Sequence, residues 1–199
     1  MPKAVDYYFS VASPWAYLGS ARFLQMAQRH DAAVTVLPVE LSRIFAASGG
    51  TTFQDRAPQR RHYRQLELAR WSRRLDIPLT LAPRFYPVDR RPASYLLIAA
   101  REMGLPALAL SHRVLRAIWH EESDIADWDT LLRLSLEAGL DGRALLEAAR
   151  SPVVARQFER DTERAIAAQV FGAPAYVIDG ELFWGQDRLD FVEQRLAAK

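Results

Sequence analysis

The serine–proline pair Ser13-Pro14 is where chemistry is most readily placed on this chain. An apolar run of β-forming residues, 5–9, leads through a short loop into the pair, and a helical pattern begins there. Serine is a favoured N-cap and proline a favoured first helical residue, since proline has no N–H to leave without a partner. The Ser13 hydroxyl is therefore expected beside unpaired backbone N–H groups at the positive end of a helix dipole, a setting that favours an anion. The same pair also serves as a plain helix cap, and this stretch alone does not separate the two roles. A serine nucleophile of the hydrolase kind is not indicated, because no histidine lies nearby and no nucleophile elbow is present.

Other chemistry-bearing residues give weaker signals. The histidines His30, His62, His112 and His120 show no metal-ligand spacing. Glu121, Glu122, Asp124 and Asp127 form an acidic run suited to acid–base work or, more simply, to a solvated helix junction. Gly49-Gly50 follows a helix rather than a strand, so no phosphate loop is indicated. There is no cysteine, which rules out disulfides, cysteine–metal sites and any thiol chemistry of the chain's own.

Composition narrows the class further. With 199 residues, half of them apolar and a quarter charged, the chain suits one globular domain or one domain carrying a large insertion. The formal charge is only +2, lysine occurs only at Lys3 and Lys199, and neither end carries a basic block, so nucleic-acid binding is not expected. The first residues lack a signal-like apolar run and no later run approaches membrane-spanning length, so a cytoplasmic protein without membrane partners is expected.

The elements that would position Ser13 follow from periodicity. Residues 5–9 read as a strand, 14–29 as a helix with apolar Tyr17, Ala21, Leu24 and Ala27, and 33–41 as a second strand. Strand, helix, strand in some forty residues suggests a βαβ unit with a parallel pair. Residues 48–52 form a loop and 58–75 an arginine-rich helix, ended by Asp76-Ile77-Pro78. An irregular aromatic loop, 83–87, precedes helical signals at 93–103, 107–120, 128–138, 143–149 and 153–168. Strand character returns at 175–178 and 181–184, and the intervening Asp179-Gly180 is a hairpin signal. Asp187 is expected to cap a last helix, with Leu189, Val192 and Leu196 on one face. The expected architecture is α/β: a small mixed βαβ…ββα sheet, 1–48 and 169–199, split by an all-helical insertion, 49–168.

This order, with its motif at a helix start and its proline before the hairpin, resembles the thioredoxin fold of the DsbA type. More narrowly, the chain resembles the 2-hydroxychromene-2-carboxylate isomerases, relatives of the kappa-class glutathione transferases. Six stretches carry the likeness, in order along nearly the whole chain: Tyr8 to Leu18 around the first helix; Arg70-Trp71 ahead of Ile77-Pro78; Phe85-Tyr86-Pro87-Val88; Ala117-Ile118-Trp119; Val170-Phe171-Gly172-Ala173-Pro174; and Phe183-Trp184-Gly185-Gln186-Asp187-Arg188-Leu189.

The resemblance implies glutathione as cofactor and a small aromatic carboxylate as substrate, in aromatic-hydrocarbon catabolism, with a homodimer as the usual assembly. Disulfide oxidoreductases of this fold carry a cysteine pair where this chain has Ser13-Pro14-Trp15-Ala16, so the thiol would be borrowed. Ser13 would then donate to the glutathione sulfur and favour its thiolate, which would add to a conjugated enone, allow rotation and leave again. Ala173-Pro174 is implied to be a cis-proline step whose Ala173 backbone pairs with the peptide-like ligand. Gln186, Asp187 and Arg188 are implied to hold its γ-glutamyl end, and Arg60, standing at a family lysine position, its glycine carboxylate. Phe45, Gln54, Phe85 and Asp89 are implied to border the second substrate. The chain departs from the family pattern at Phe45, Arg60 and Asp89, and the asparagine expected near Gln54 is missing. A kappa-like glutathione transferase and a non-catalytic peptide-binding thioredoxin module are the alternatives.

Overall fold

A computed structural model describes residues 3–198. Strand β1 (Ala4–Phe9) leads into α1 (Pro14–Arg29) and β2 (Ala33–Pro38), and β1 pairs with β2 in parallel from Ala4↔Ala33 to Phe9↔Pro38. The second strand ends at Pro38 rather than at residue 41, and a short helix α2 (Leu41–Ser48) follows at once. Pro38 cannot donate to a ladder, and Glu40 caps the new helix by accepting from the Ser42 N–H at 3.2 Å. Helices α3 (Pro58–Leu75), α4 (Arg91–Glu102), α5 (Ala107–Trp119), α6 (Trp128–Glu137), α7 (Gly142–Ala149) and α8 (Pro152–Ala167) then succeed one another. The chain closes with β3 (Ala175–Ile178), β4 (Glu181–Trp184), a 3₁₀ turn (Gln186–Arg188) and α9 (Leu189–Ala197). The sheet order is β2-β1-β3-β4, with both later pairings antiparallel. No described helix is long and apolar enough to cross a membrane.

Alternation along β1 puts its side chains into two cores. Val5, Tyr7 and Phe9 face the larger apolar cluster, which takes in α1, α4 and α5, whereas Tyr8 joins Leu37, Ile44 and Ala165 beneath α2 and α8. Tyr7 stacks on Phe9 at 4.5 Å between ring centroids and, across the sheet, on its register partner Tyr176 at 5.3 Å. Phe23 of α1 tilts against both tyrosines, at 5.0 and 4.7 Å. This aromatic block fixes the height of α1 over the sheet, and therefore the height of the residue that caps it.

Polar contacts fix the helix in the other directions. The Tyr17 hydroxyl donates to the Pro78 carbonyl at 2.9 Å. Buried Ser20 donates to the Tyr17 carbonyl at 2.8 Å, so its oxygen accepts from His112 Nδ1 on α5, also at 2.8 Å. At the edge of the sheet, Arg101 of α4 donates to Asp161 of α8 at 2.9 Å and to the Val36 carbonyl at 2.8 Å, clasping edge strand β2.

Burial and the neighbouring Arg116 and Arg113 hold the His112 imidazole below its ordinary value near 6.5. Above that value the ring is neutral in both folded and unfolded chains. As pH falls below it the unfolded chain takes the proton first, and stability is lost down to the depressed folded value. Urea unfolding at about pH 7.5 and about pH 5.5 should show wild type losing stability at the lower pH, and His112→Gln losing less. Equal losses in the two proteins would detach His112 from the pH response.

Candidate active site

The turn before α1 is closed by the Ser13 N–H donating to the Ser10 carbonyl at 2.9 Å. Ser13 keeps an extended backbone, φ −87° and ψ 118°, as an N-cap requires. Its carbonyl accepts from the Tyr17 N–H at 3.0 Å, and its Oγ accepts from the Ala16 N–H at 3.2 Å. Oγ is thus an acceptor toward the helix and retains its own proton for a group on its other side. Ser13 borders a cavity of about 900 Å³ together with Ser10, Ala12, Pro14 and Trp15.

Two segments distant in sequence meet Ser13 there. The first runs through Gly172, Ala173 and Pro174. The Ala173–Pro174 peptide is cis, the Pro174 carbonyl accepts from the Gly185 N–H at 2.9 Å, and the β3 ladder begins only at Ala175. A Cβ on Gly172 would come within 2.4 Å of Trp184 Nε1, so only glycine admits the indole at that wall. The second is the turn after β4. Gly185 has φ 102° and ψ 149°, a region essentially reserved for glycine, and a Cβ there would lie 2.4 Å from Asp187 Oδ1.

Asp187 does not cap the last helix as the sequence suggests. The chain first makes its 3₁₀ turn, α9 starts at Leu189 with Arg188 at the cap position, and Arg188 makes no side-chain capping bond. The Asp187 carboxylate instead turns back beside Gly185 and pairs with Arg188 at 2.6 Å. Gln186 is buried below this turn. Arg22 of α1 donates both to its backbone carbonyl, at 3.1 Å, and to its Oε1, while Nε2 is buried without a partner. Burial lowers the Arg22 pKa, and Tyr176, Asp190 and Asp187 oppose that shift.

Of the residues singled out from the sequence, Ser13, Phe45, Gln54, Arg60, Ala173, Gln186, Asp187 and Arg188 all border the one cavity. Pro174, Phe85 and Asp89 do not border it. Pro174 stands behind Ala173 at the foot of β3. The Phe85 ring lies under the Arg84 guanidinium at 5.2 Å, and Asp89 is engaged by the Arg91 backbone N–H and Nε at 3.1 and 3.0 Å. From that loop it is Tyr86, Pro87 and Val88 that reach the cavity. Sequence reading also passes over Tyr63, Arg64, Glu67 and Trp71, which line it with Arg60 along one side of α3. Their spacing of three and four residues was a usable signal. The acidic run is structural: Asp127 caps α6 by accepting from the Thr130 N–H, and Glu121 pairs with Arg113 and Arg116. Among the described residues, no group of three or more His, Cys, Asp or Glu side chains gathers as a metal site.

A four-stranded thioredoxin sheet with helices inserted between its halves, and a cis-proline step whose Ala173 shares a cavity with the capped start of α1, defines the DsbA class of fold. Residues 4–197 match the DSBA-like thioredoxin domain family. The chain is 30% identical to 2-hydroxychromene-2-carboxylate isomerase of Sphingobium xenophagum, over 98% of this chain and 99% of that one. It is 28% identical to the Pseudomonas putida enzyme of the same name, over 96% and 93%. A solved structure of 2-hydroxychromene-2-carboxylate isomerase superposes with a TM-score of 0.79 at 26% identity, covering 96% and 93%. The cytosolic disulfide reductase DsbM of Pseudomonas aeruginosa, solved with GSH, shares the fold at a TM-score of 0.70 and 18% identity, covering 96% and 93%. The chain accordingly belongs to the DSBA-like thioredoxin family and, within it, to the isomerases named for 2-hydroxychromene-2-carboxylate.

Because Gly185 holds a backbone region essentially reserved for glycine, Gly185→Ala is expected to cost about 1–3 kcal/mol. Chemical denaturation measures this directly. A midpoint equal to wild type would mean that the turn relaxes freely and does not hold Asp187 in place.

Proposed function

We propose that the protein is a glutathione-dependent isomerase of an aromatic carboxylate, and that Ser13 stabilises the sulfur of the bound tripeptide as a thiolate. The observation that supports this best is the division of labour at Ser13 Oγ, which caps α1 with a lone pair and keeps its proton for the cavity. A chain without cysteine has no thiol of its own to place there. Glutathione, when bound, supplies a thiol, which as thiolate is a nucleophile suited to reversible addition at the conjugated carbon of an enone.

The residues present suit a γ-glutamyl tripeptide. The buried Gln186 Nε2 lacks an acceptor, and an α-carboxylate supplies one. The Asp187 carboxylate, exposed enough to share itself beyond Arg188, meets an α-ammonium. Ala173, one residue before the cis-proline, offers its backbone to an extended peptide ahead of the ladder. Arg60, on the exposed first turn of α3, gives the far carboxylate a cation.

Ser13 acts by donation. A charge-assisted hydrogen bond together with the α1 dipole is worth roughly 2 kcal/mol, enough to lower a thiol pKa by about one to two units. The hydroxyl needs no general base, since it gives up no proton. Trp15, Phe45 and Tyr86 make the adjoining wall, where they exclude water from the reacting sulfur.

Ser13→Ala should lower turnover roughly tenfold or more and raise the pKa of the bound thiol, read from ultraviolet thiolate absorbance. If the bound thiol of the wild-type protein titrates as it does in free solution, the proposed role of Ser13 is wrong. Calorimetry tests the cofactor itself: absence of binding at millimolar glutathione overturns the reading. Mass balance tests the reaction type, because an isomerase returns all its glutathione and a transferase does not.

A further inference from the structure

Arg64 stands out among the cavity's cations. Arg188 is paired with Asp187 at 2.6 Å, Arg90 faces Glu40 at 3.8 Å, and Arg56 Nε donates to the Thr51 carbonyl at 3.2 Å. Arg64 is half-buried, and the groups that act on its charge are Tyr86 and Arg56, neither of them a carboxylate. Burial therefore lowers its pKa with no anion to offset it. Glu67, the carboxylate next along the same helix face, is engaged by Arg70 at 2.6 Å. One face of the Arg64 guanidinium lies over the Phe53 ring, 4.5 Å from its centroid. Stacking of that kind fixes the plane of the group and leaves its edge, with its fork of N–H donors, to bind something else.

Tyr63 and Trp71 of α3 and Tyr86 of the 83–88 loop line the same cavity, with Arg70 over one side of the Tyr63 ring and Arg74 over one side of the Trp71 ring. A desolvated cation without a counter-ion costs stability in the empty protein, and an anionic ligand recovers that cost on binding. Planar aromatic walls beside a planar bidentate donor match a conjugated aromatic acid better than a compact inorganic anion.

We propose that Arg64 is the specificity-determining residue of the second-substrate end of the site, taking the carboxylate of a conjugated aromatic acid in a bidentate grip while Tyr63, Trp71 and Tyr86 take the ring. The proposal rests on the isomerase reading for its substrate class. It separates Arg64 from Arg60, which belongs to the tripeptide.

The full-length protein tests this with o-hydroxycinnamate and its methyl ester as probes, each titrated by calorimetry with and without glutathione. Wild type should bind the acid more tightly than the ester by roughly tenfold or more, the range of a charge-assisted pair. Arg64→Met should bind acid and ester alike and keep its glutathione Kd. It should also unfold at an equal or higher temperature, since an unpaired charge has been removed from a half-buried site. Arg64→Lys should retain part of the preference, keeping charge without the fork. Acid preference persisting in Arg64→Met overturns the proposal, and so does a loss that falls on glutathione instead, which would assign Arg64 to the tripeptide. Should wild type prefer the acid yet fail to bind glutathione, Arg64 keeps its role and the glutathione reading falls alone.

Discussion

A single hydroxyl makes two commitments at the start of α1, and the rest of the fold is arranged around them. Ser13 Oγ accepts from the Ala16 N–H and so satisfies one donor at the helix start. With that lone pair committed, its proton is free to be donated elsewhere, and Ser13 borders the cavity. A threonine or aspartate would also cap, but aspartate brings a negative charge that repels an anion, and threonine adds a methyl at a nearly closed position. A small neutral hydroxyl can cap the helix with a lone pair and still donate its proton to an anion.

That geometry has value only if α1 stays still. The Tyr7, Phe9, Phe23 and Tyr176 block sets its height, and the Ser20–His112 and Tyr17–Pro78 bonds set its rotation. Arg22 then carries the same rigidity across to the far wall, because its guanidinium holds both the carbonyl and the side chain of Gln186. Gly19 permits this approach, since a Cβ there would lie 2.9 Å from Gln186 Cβ. One helix therefore positions the serine at its end and the 3₁₀ turn along its side.

What the sequence disclosed follows the range of the forces involved. Ser13-Pro14, the period of α1 and the Asp179-Gly180 hairpin are decided within a few residues, and each stands where local chemistry places it. Asp187 was misjudged for the opposite reason. Its own preference for capping is real, but the turn imposed by Gly185 reaches the residue first and turns its carboxylate back. Phe85 and Asp89 sit one position either side of the residues that face inward, and only the tertiary path of the loop decides which those are. Arg22 was invisible because its partner is 164 residues away. The side of α3 is legible in principle, since Arg60, Tyr63, Arg64, Glu67 and Trp71 recur at helical spacing, but the sequence does not say which side of an arginine-rich helix meets a cavity, and Tyr63 is 57% exposed.

Charge distribution around the cavity separates structure from binding more cleanly than motif matching does. Exposed arginines find carboxylates too, Arg133 on the next turn of its own helix and Arg29 and Arg43 on other helices, and each such pair contributes little. Arg101 is nearly buried and fully matched by Asp161 and the Val36 carbonyl, as a structural cation must be. Arg64 is half-buried, and among the described residues no carboxylate pairs with it. Its guanidinium is held over the Phe53 ring, and the proposed grip on a ligand's carboxylate would complete for Arg64 the set that Asp161 completes for Arg101.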